Sequence, residues 1–246
     1  MKYRIEKDTI GEIKVPQDKL WGAQTARSLI NFDIGTEKIP YEMIEAFVIL
    51  KRSVAIVNNK LDNLEDKKTD AIVKACDTIL EGEHKDNFPL SVWQTGSGTQ
   101  TNMNINEVIA NLSGKSIHPN DDVNRSQSSN DTFPTAMHIC SLIAIQDNLL
   151  PAIKSLSKTF KKKSKKFKNV IKIGRTHLQD ATPLTLGQEI SGWVQMLDNS
   201  YGMIKMSLKY IRELALGGTA VGTGLNAHPK LAKMFAKEVS YFTNKK

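Results

Sequence analysis

The sequence predicts a mostly α-helical protein, and two features carry this prediction. Apolar residues recur at spacings of three and four after residue 40, and one such stripe runs without a break from Ile190 to Ala215. A stripe of about 25 residues corresponds to roughly 37 Å of helix, which is typical of a helical bundle. No strand pattern of any strength is present, so we expect no strands, and the sequence contains no internal repeat.

We expect two domains along the chain. The N-terminal domain, residues 1–125, begins with an irregular arm of about 40 residues that contains the turn-prone segment 15–18. Helical spacing then predicts three short helices, over 41–59, 66–82 and about 102–114. The remaining residues, 126–246, are expected to form the first part of a central helical bundle.

The central domain is predicted to contain two long helices. The first begins near Asp131, and Pro151 inside it predicts a kink without a stop. The second runs from about Pro183 to Leu214, and a glycine-rich segment (216–225) and a further helix (229–239) follow it. The bundle is expected to be incomplete, because bundles of this length usually have four or more helices.

Composition excludes several classes of function. The apolar fraction is 40% and the charged fraction 24%, both ordinary for a soluble protein, and no run of about 18 apolar residues predicts a membrane span. The first residues lack a signal-peptide pattern, so we expect a cytoplasmic protein with no membrane partner. Six of the lysines that produce the net charge of +8 lie in the segment Lys161–Lys168. This local clustering favours a solvated helix end over a nucleic-acid site.

The two cysteines and the spacing of the histidines predict no metal or redox chemistry. Cys76 and Cys140 form no CxxC pattern and lie among apolar residues, which indicates buried side chains. No histidine is paired with an acidic residue at metal-ligand spacing. We therefore expect neither a metal nor another cofactor.

The segment 174–188 is the most informative in the sequence. It places His177 beside Arg175, Thr176 and Gln179, just before the long apolar stripe. Histidine is the side chain whose charge changes near neutral pH without help from its surroundings. His177 is therefore the first candidate for acid/base chemistry.

Three further polar clusters consist of hydroxyl and amide groups. Ser97, Gly98 and Thr99 precede a predicted helix, where free backbone N–H groups make an anion site, although a capped helix after a flexible loop fits the spacing equally well. His118 taken alone is more typical of a structural residue, and Ser128–Asn130 suits both helix capping and carboxylate binding. Together the clusters predict an anionic substrate.

These clusters lie in motifs that resemble the class II fumarases of the fumarase/aspartase superfamily, over essentially the whole chain. The motifs are Leu20–Thr25, Trp93–Thr99, His118–Asp122, Ser128–Asp131, Gly174–Asp180 and Leu216–Leu225. Aspartases of the superfamily usually have glutamine at the position of His177. The histidine therefore favours addition of water, and an aspartate ammonia-lyase-like activity is the alternative.

The resemblance implies a superfamily fold and the reversible hydration of fumarate to L-malate without metal or cofactor. By the resemblance, His177 is the general acid/base. The implied substrate-binding residues are Ser97, Gly98, Thr99, Ser128, Ser129, Asn130 and Thr176. A second dicarboxylate site is implied at His118, Pro119, Asn120 and Asp121. Family members are homotetramers whose active sites combine residues of three subunits.

Two departures from the family pattern bear on activity. The segment 111–117 is shorter than in many relatives and offers no match for the basic residue that usually precedes the His-Pro-Asn-Asp motif. The family's Gly-Ser-Ser loop, which carries the serine thought to remove the C3 proton, would lie downstream of Lys246. We therefore expect about half of a family member, inactive by itself; a truncated protein without catalytic function is the alternative.

Overall fold

A computed structural model describes residues 2–245 and confirms the mostly helical prediction. The α-helices are α1 (Ala23–Asn31), α2 (Tyr41–Lys60), α3 (Asp66–Leu80), α4 (Thr99–Ser113), α5 (Ser129–Ala144), α6 (Leu150–Lys166), α7 (Leu186–Ile211) and α8 (Leu231–Thr243). The β-strands are β1 (Tyr3–Asp8), β2 (Gly11–Pro16), β3 (Ile171–Thr176) and β4 (Gln179–Thr185). The predicted short helices over 41–59, 66–82 and 102–114 correspond to α2, α3 and α4.

The prediction of an irregular N-terminal arm without strands is wrong. Strands β1 and β2 form an antiparallel hairpin in the register that pairs Tyr3 with Pro16. Asp8 closes the turn by accepting the N–H groups of Ile10 (2.9 Å) and Gly11 (3.2 Å), and its carboxylate is also paired with Arg27 of α1 at 2.8 Å. The hairpin is half exposed, so its six-residue strands carry little apolar alternation for sequence reasoning to detect.

The chain folds into two compact units. The first contains the described residues of Met1–Cys140 and Leu214–Lys246, and the second contains Ser141–Glu213. In the first unit, α2 packs against α3, α4 and α8. Fully buried apolar side chains of these helices form its core: Phe47, Leu50, Val54, Ile72, Ile79, Ile105, Ile109 and Leu231. The expected domain boundary at residues 125 and 126 stays a prediction.

The second unit consists mainly of α6, α7 and the hairpin β3–β4. Helix α7 begins at Leu186 and not at the predicted Pro183, which lies in β4. The reason is a capping box, in which the Gln188 N–H donates to Thr185 Oγ1 (3.1 Å) and the Thr185 N–H donates to Gln188 Oε1 (2.8 Å). The hairpin also contradicts the expectation that this part of the chain has no strands.

The helical run Ser129–Lys166 continues past Pro151, as predicted. The distortion lies just before the proline, where Ile145–Leu149 forms a π-helical turn. Proline has no N–H and its ring displaces the carbonyl four residues earlier, so a wider turn here relieves the conflict. By length and composition this run is apolar enough to cross a membrane (mean hydropathy 1.3 over 18 residues, of which 17% are buried), whereas the sequence reading expected no such stretch.

Helix α7 is apolar on two faces. The predicted stripe from Ile190 to Ala215 is too long, because α7 ends at Ile211. Within the helix Ile190 and Leu208 are buried, and the stripe residues between them are half-buried. A second series at heptad-like spacing is exposed: Trp193, Met196, Met203, Met206 and Tyr210. A helix that is apolar on two sides belongs inside a larger bundle, which agrees with the prediction of an incomplete one.

Candidate active site

The Ser97–Thr99 corner begins α4, and its shape depends on Gly98. This residue has a φ of 70°, and a Cβ atom built there would lie 2.1 Å from Cδ2 of Phe133 in α5. Ser97 and Thr99 place their hydroxyl oxygens 3.1 Å apart. Gln94 accepts the N–H of Thr101 at 3.0 Å, whereas the N–H groups of Thr99 and of the residue after it receive no acceptor from residues 2–245. The corner therefore presents hydroxyl and N–H donors at a helix N-terminus, as an anion site requires.

Asn102 connects this helix to the serine cluster. Its Nδ2 donates to Ser129 Oγ and to Asn124 Oδ1, both at 3.1 Å, and its Oδ1 accepts the hydroxyl of Thr132 at 3.3 Å. Asn102 is 1% exposed, so its amide is fixed by these contacts. Because Ser129 Oγ accepts from Asn102, its own O–H remains to donate to a ligand.

These groups border a cavity of about 760 Å³, which we call the asparagine pocket. Its lining includes Asn102, Asn120, Asp121, Asn124, Arg125, Gln127, Ser128 and Ser129. The structure thus brings two of the predicted substrate-binding serines together with two residues of the predicted second site. Arg125 supplies a guanidinium that follows the His-Pro-Asn-Asp motif, whereas the family resemblance implies a basic residue ahead of it.

Asp131 ties the serine cluster to the glycine-rich segment. Its Oδ1 accepts the Ser128 N–H at 2.9 Å, and its Oδ2 accepts the N–H groups of Gly217 at 3.0 Å and Thr219 at 2.9 Å. The predicted substrate-binding residue Asn130 adds a bond from its Nδ2 to the Ala220 carbonyl at 2.8 Å. Asp131 is 2% exposed, so it holds the pocket wall in place and does not itself face a ligand.

Lys51 of α2 lies behind the same wall. Its side chain is fully buried, and its Nζ donates to Asn124 Oδ1 and to Gln127 Oε1, both at 2.9 Å. Burial lowers the pKa of Lys51 to about 7, although the nearby Asp131 carboxylate acts in the opposite direction. The buried ammonium group of Lys51 therefore donates directly to two side chains that line the pocket, Asn124 and Gln127.

Residues Pro119–Val123 form a π-helical turn, and His118 caps its N-terminus. The His118 N–H donates to Asp122 Oδ2 at 2.8 Å, and His118 Nδ1 accepts the Asp121 N–H at 3.1 Å. Burial would raise the pKa of Asp122, but hydrogen bonds from Lys68 (2.8 Å) and from His118 outweigh it and hold this pKa below the usual range. Since Nδ1 is an acceptor, the neutral imidazole carries its proton on Nε2.

His118 and Pro119 line a different cavity, of about 440 Å³, together with the hydrophilic residues Lys7, Gln24 and Glu107. Asn120 lines both this cavity and the asparagine pocket. The predicted second dicarboxylate site is therefore divided, because Asp121 faces the asparagine pocket and His118 the other cavity.

His177 lies in the second unit, at the tip of the hairpin β3–β4. The register pairs Thr176 with Gln179, so the turn consists of His177 and Leu178, whose φ angles are 51° and 61°. Positive φ at both central residues is the condition of a type I′ turn, which asparagine and glycine normally occupy. Non-glycine residues held in this conformation store strain, a feature that clusters at functional sites.

The hairpin exposes the predicted acid/base. Thr176 and His177 are both exposed, and among residues 2–245 no side chain or backbone group hydrogen-bonds to the His177 imidazole. A β-bulge in β4 places Ala181 and Thr182 opposite the single residue Gly174 of β3. A Cβ atom at Gly174 would lie 2.5 Å from the Thr182 carbonyl oxygen, so only glycine fits there without a shift of the backbone. The imidazole is thus positioned by the backbone alone within the described part of the chain.

Sequence reasoning missed Lys51, Asn102 and Asp131 as site residues. A signal for Lys51 was present, because it lies four residues after Phe47 and three before Val54 on the core face of α2. A lysine on an otherwise apolar face must find polar partners. The sequence places Asp131 at the start of a predicted long helix and residue 102 at the start of a predicted short one, and neither position by itself indicates a role in the site.

Residues 11–246 match the sequence model of a protein family described as Lyase. The chain belongs to the lyase family. Among curated relatives, the class II fumarate hydratase of Helicobacter pylori strain 26695 is 62% identical over the whole of this chain and 55% of its own length. The class II fumarate hydratase of Bacillus subtilis strain 168 is 58% identical over 99% of this chain and 54% of its own length. The resemblance to class II fumarases is confirmed, and the chain spans about half the length of the curated relatives it matches.

Solved structures agree with this membership. A class II fumarase from Schistosoma mansoni superposes with a TM-score of 0.94 at 44% identity, over 99% of this chain and 53% of that one. A fumarate lyase:delta crystallin protein from Brucella melitensis gives 0.93 at 39% identity, over 99% and 55%. The β-carboxy-cis,cis-muconate cycloisomerase of Acinetobacter calcoaceticus, at 17% identity and a TM-score of 0.64, shares the fold alone.

Proposed function

We propose that these residues bind a four-carbon dicarboxylate and form part of an enzyme that hydrates fumarate reversibly to L-malate. The observation that carries the proposal is the asparagine pocket, in which hydroxyl and amide donors are fixed by buried polar contacts. Carboxylates are acceptors, so a cavity of oriented donors suits them. The names of the relatives, class II fumarate hydratases, supply the reaction.

In this proposal the donors act on the charge that develops during the reaction. Removal of the C3 proton of malate places a second negative charge on the adjacent carboxylate, and preorganised donors stabilise that state. Ser129, held by Asn102, and the N-terminus of α4 at Thr99 are such donors. His177 exchanges the proton of the water or hydroxyl at C2, as an imidazole suits near neutral pH.

The acid/base chemistry needs a second group that removes the C3 proton. By the family resemblance this is a serine of a Gly-Ser-Ser loop, and that sequence does not occur in the 246 residues. We therefore propose that the 246 residues bind the dicarboxylate without turning it over, and that hydration belongs to the whole protein. A protein that binds without catalysing in any form is the competing hypothesis.

A homotetramer located in the cytoplasm is the proposed assembly. The support for association is the second apolar face of α7, where Met196 and Met206 are about two-thirds exposed. Exposed apolar faces of this length bury themselves against further helices. Sedimentation of the protein from its natural source tests the assembly, and a monomer at micromolar concentration would contradict it.

Fumarate consumption and dicarboxylate binding together test the proposed function. In the protein purified from its natural source, His177→Asn should reduce hydration by about 10²-fold or more, whereas His84→Asn in an exposed loop should not change it. Turnover close to wild type in His177→Asn would remove this residue from the mechanism. Addition of ammonia in place of water would favour the aspartate ammonia-lyase-like alternative, and binding without any turnover would support the inactive protein.

A further inference from the structure

Lys51 is a buried cation that the proposed chemistry does not use. Its side chain has no exposed surface, and both acceptors of its Nζ are neutral carboxamides, those of Asn124 and Gln127. An ammonium ion without water or a counter-ion is costly to bury. A buried ammonium ion of this kind is expected where its charge or its hydrogen bonds serve a binding site, and the adjoining asparagine pocket is such a site.

The surroundings leave the charge of Lys51 uncompensated. Asp131 from α5 and the Cys76 thiol from α3 are the titratable groups that act on it. The Asp131 oxygens are occupied by three backbone N–H groups, and burial keeps Cys76 protonated by raising its pKa. Beyond Cys76, Arg52 and Asp77 pair with each other at 2.7 Å. Among residues 2–245 no carboxylate forms an ion pair with Lys51.

The hydrogen bonds of Lys51 decide which way the pocket amides point. Because Asn124 Oδ1 accepts from both Lys51 and Asn102, that oxygen faces the interior and not the pocket. Gln127 likewise turns its Oε1 to Lys51 and donates its Nε2 to the Val123 carbonyl at 3.0 Å. With these two acceptors withdrawn, the pocket wall repels an anionic ligand less and leaves the Ser129 hydroxyl free to donate.

We propose that Lys51 is a positioning residue of the dicarboxylate site: its ammonium fixes the amides of Asn124 and Gln127, and a dianion in the asparagine pocket is bound with Lys51 protonated. This inference rests on the proposed function, because it takes the dicarboxylate as the ligand. The buried charge attracts the dianion through a medium with little screening. Because the ligand binds the protonated form of Lys51 more tightly, bound ligand must in turn raise the pKa of Lys51.

Lysine titration by NMR in the 246-residue chain tests the coupling. We expect one lysine Cε signal to titrate near neutral pH, far below the ordinary lysine pKa of about 10.4. Succinate, a dicarboxylate that cannot be hydrated, should raise that midpoint by about one pH unit, which corresponds to about ten-fold coupling. Assignment through the backbone of the unsubstituted chain makes this measurement independent of how any variant folds.

The outcomes separate this inference from the proposed function. If succinate perturbs the Ser128 and Ser129 amides but leaves the Lys51 midpoint unchanged, the coupling is refuted and the dicarboxylate site stands. If no lysine titrates near neutral pH, the inference is refuted as well. If succinate perturbs none of the pocket amides, both proposals fail.

The pH profile of affinity distinguishes a charge effect from a structural one. Succinate affinity of the chain should fall by about ten-fold in total as the pH rises through the Lys51 midpoints of the free and the bound chain, and then level off. In Lys51→Met the succinate affinity at pH 6 should be about ten-fold to a hundred-fold weaker, which is the size of effect expected when charged hydrogen bonds are lost. The affinity of this variant should also no longer fall with rising pH. Lys60→Met, on the same helix with an exposed ammonium paired to Glu238, is the matched control and should behave as wild type. An unchanged pH profile in a folded Lys51→Met would overturn the proposal.

Discussion

Replacement of Gly98 by alanine should destabilise the first unit through a single added methyl group. Gly98 has a φ of 70°, and the new Cβ would lie 2.1 Å from Cδ2 and 2.6 Å from Cε2 of the Phe133 ring. The ring cannot yield easily, because it packs edge-on against Phe47 with centroids 5.6 Å apart, and Phe47 is fully buried. Either α4 changes its start or the aromatic pair moves.

Two contributions set the size of the effect. An L-residue in the left-handed region costs about 1–2 kcal/mol relative to glycine. Overpacking of a well-filled core adds about 1–3 kcal/mol. We therefore expect a loss of about 2–5 kcal/mol in the free energy of unfolding, which for a chain of this size lowers Tm by about 2–4 °C per kcal/mol.

Gly96→Ala is the matched control in the same loop. Gly96 has no heavy atom within 4 Å of its Cβ position and no positive φ, so its replacement should leave stability within about 0.5 kcal/mol of wild type. Urea unfolding followed by circular dichroism measures both variants. A loss below about 1 kcal/mol for Gly98→Ala, or equal losses for the two variants, would refute the steric argument.

Three further predictions concern buried or paired polar groups. Asp131→Ala should lower the unfolding free energy by more than about 3 kcal/mol because three N–H groups lose their acceptor, whereas Asp131→Asn, which keeps an oxygen, should lose less; urea titration distinguishes them. Thr185→Ala should cost about 1 kcal/mol by removing the capping box of α7, and an unchanged Tm would contradict this. The Arg27 guanidinium holds the pKa of Asp8 below its usual range. The ionised carboxylate therefore stabilises the hairpin fully at pH values above the ordinary carboxyl pKa, and this stabilisation is lost as the pH falls through the lowered pKa. Asp8→Asn should therefore unfold at lower urea than wild type at pH 7 and at the same urea near pH 2; an equal difference at both pH values would count against the pair.

The helices of the first unit were predictable because they bury one face. Residues such as Phe47, Val54 and Ile72 recur at helical spacing and have no exposure, so pattern and packing agree. The hairpins were not predictable in the same way. In β3, Ile171 and Ile173 are exposed, and the turn at His177 lacks the asparagine or glycine that signals a type I′ geometry.

The site was predictable where motifs are contiguous and not where partners are distant in sequence. Ser128 and Ser129 are adjacent, and sequence reasoning could name both. Lys51 meets Asn124 across 73 residues, and Asp131 meets Thr219 across 88, so their roles arise only when the fold brings them together. Charged residues in such positions look like surface residues until their burial is known.

The two-residue turn that carries His177 limits how this region can vary. Side chains alternate between the faces of a hairpin, so one residue inserted into β3 or β4 would turn every following side chain to the opposite face. The bulge opposite Gly174 is the one irregularity in the β3–β4 ladder. The hairpin should therefore accept substitutions at many positions while rejecting any change in length, and the number of residues between Ile171 and Thr185 matters more to the direction of the imidazole than the identity of most of them.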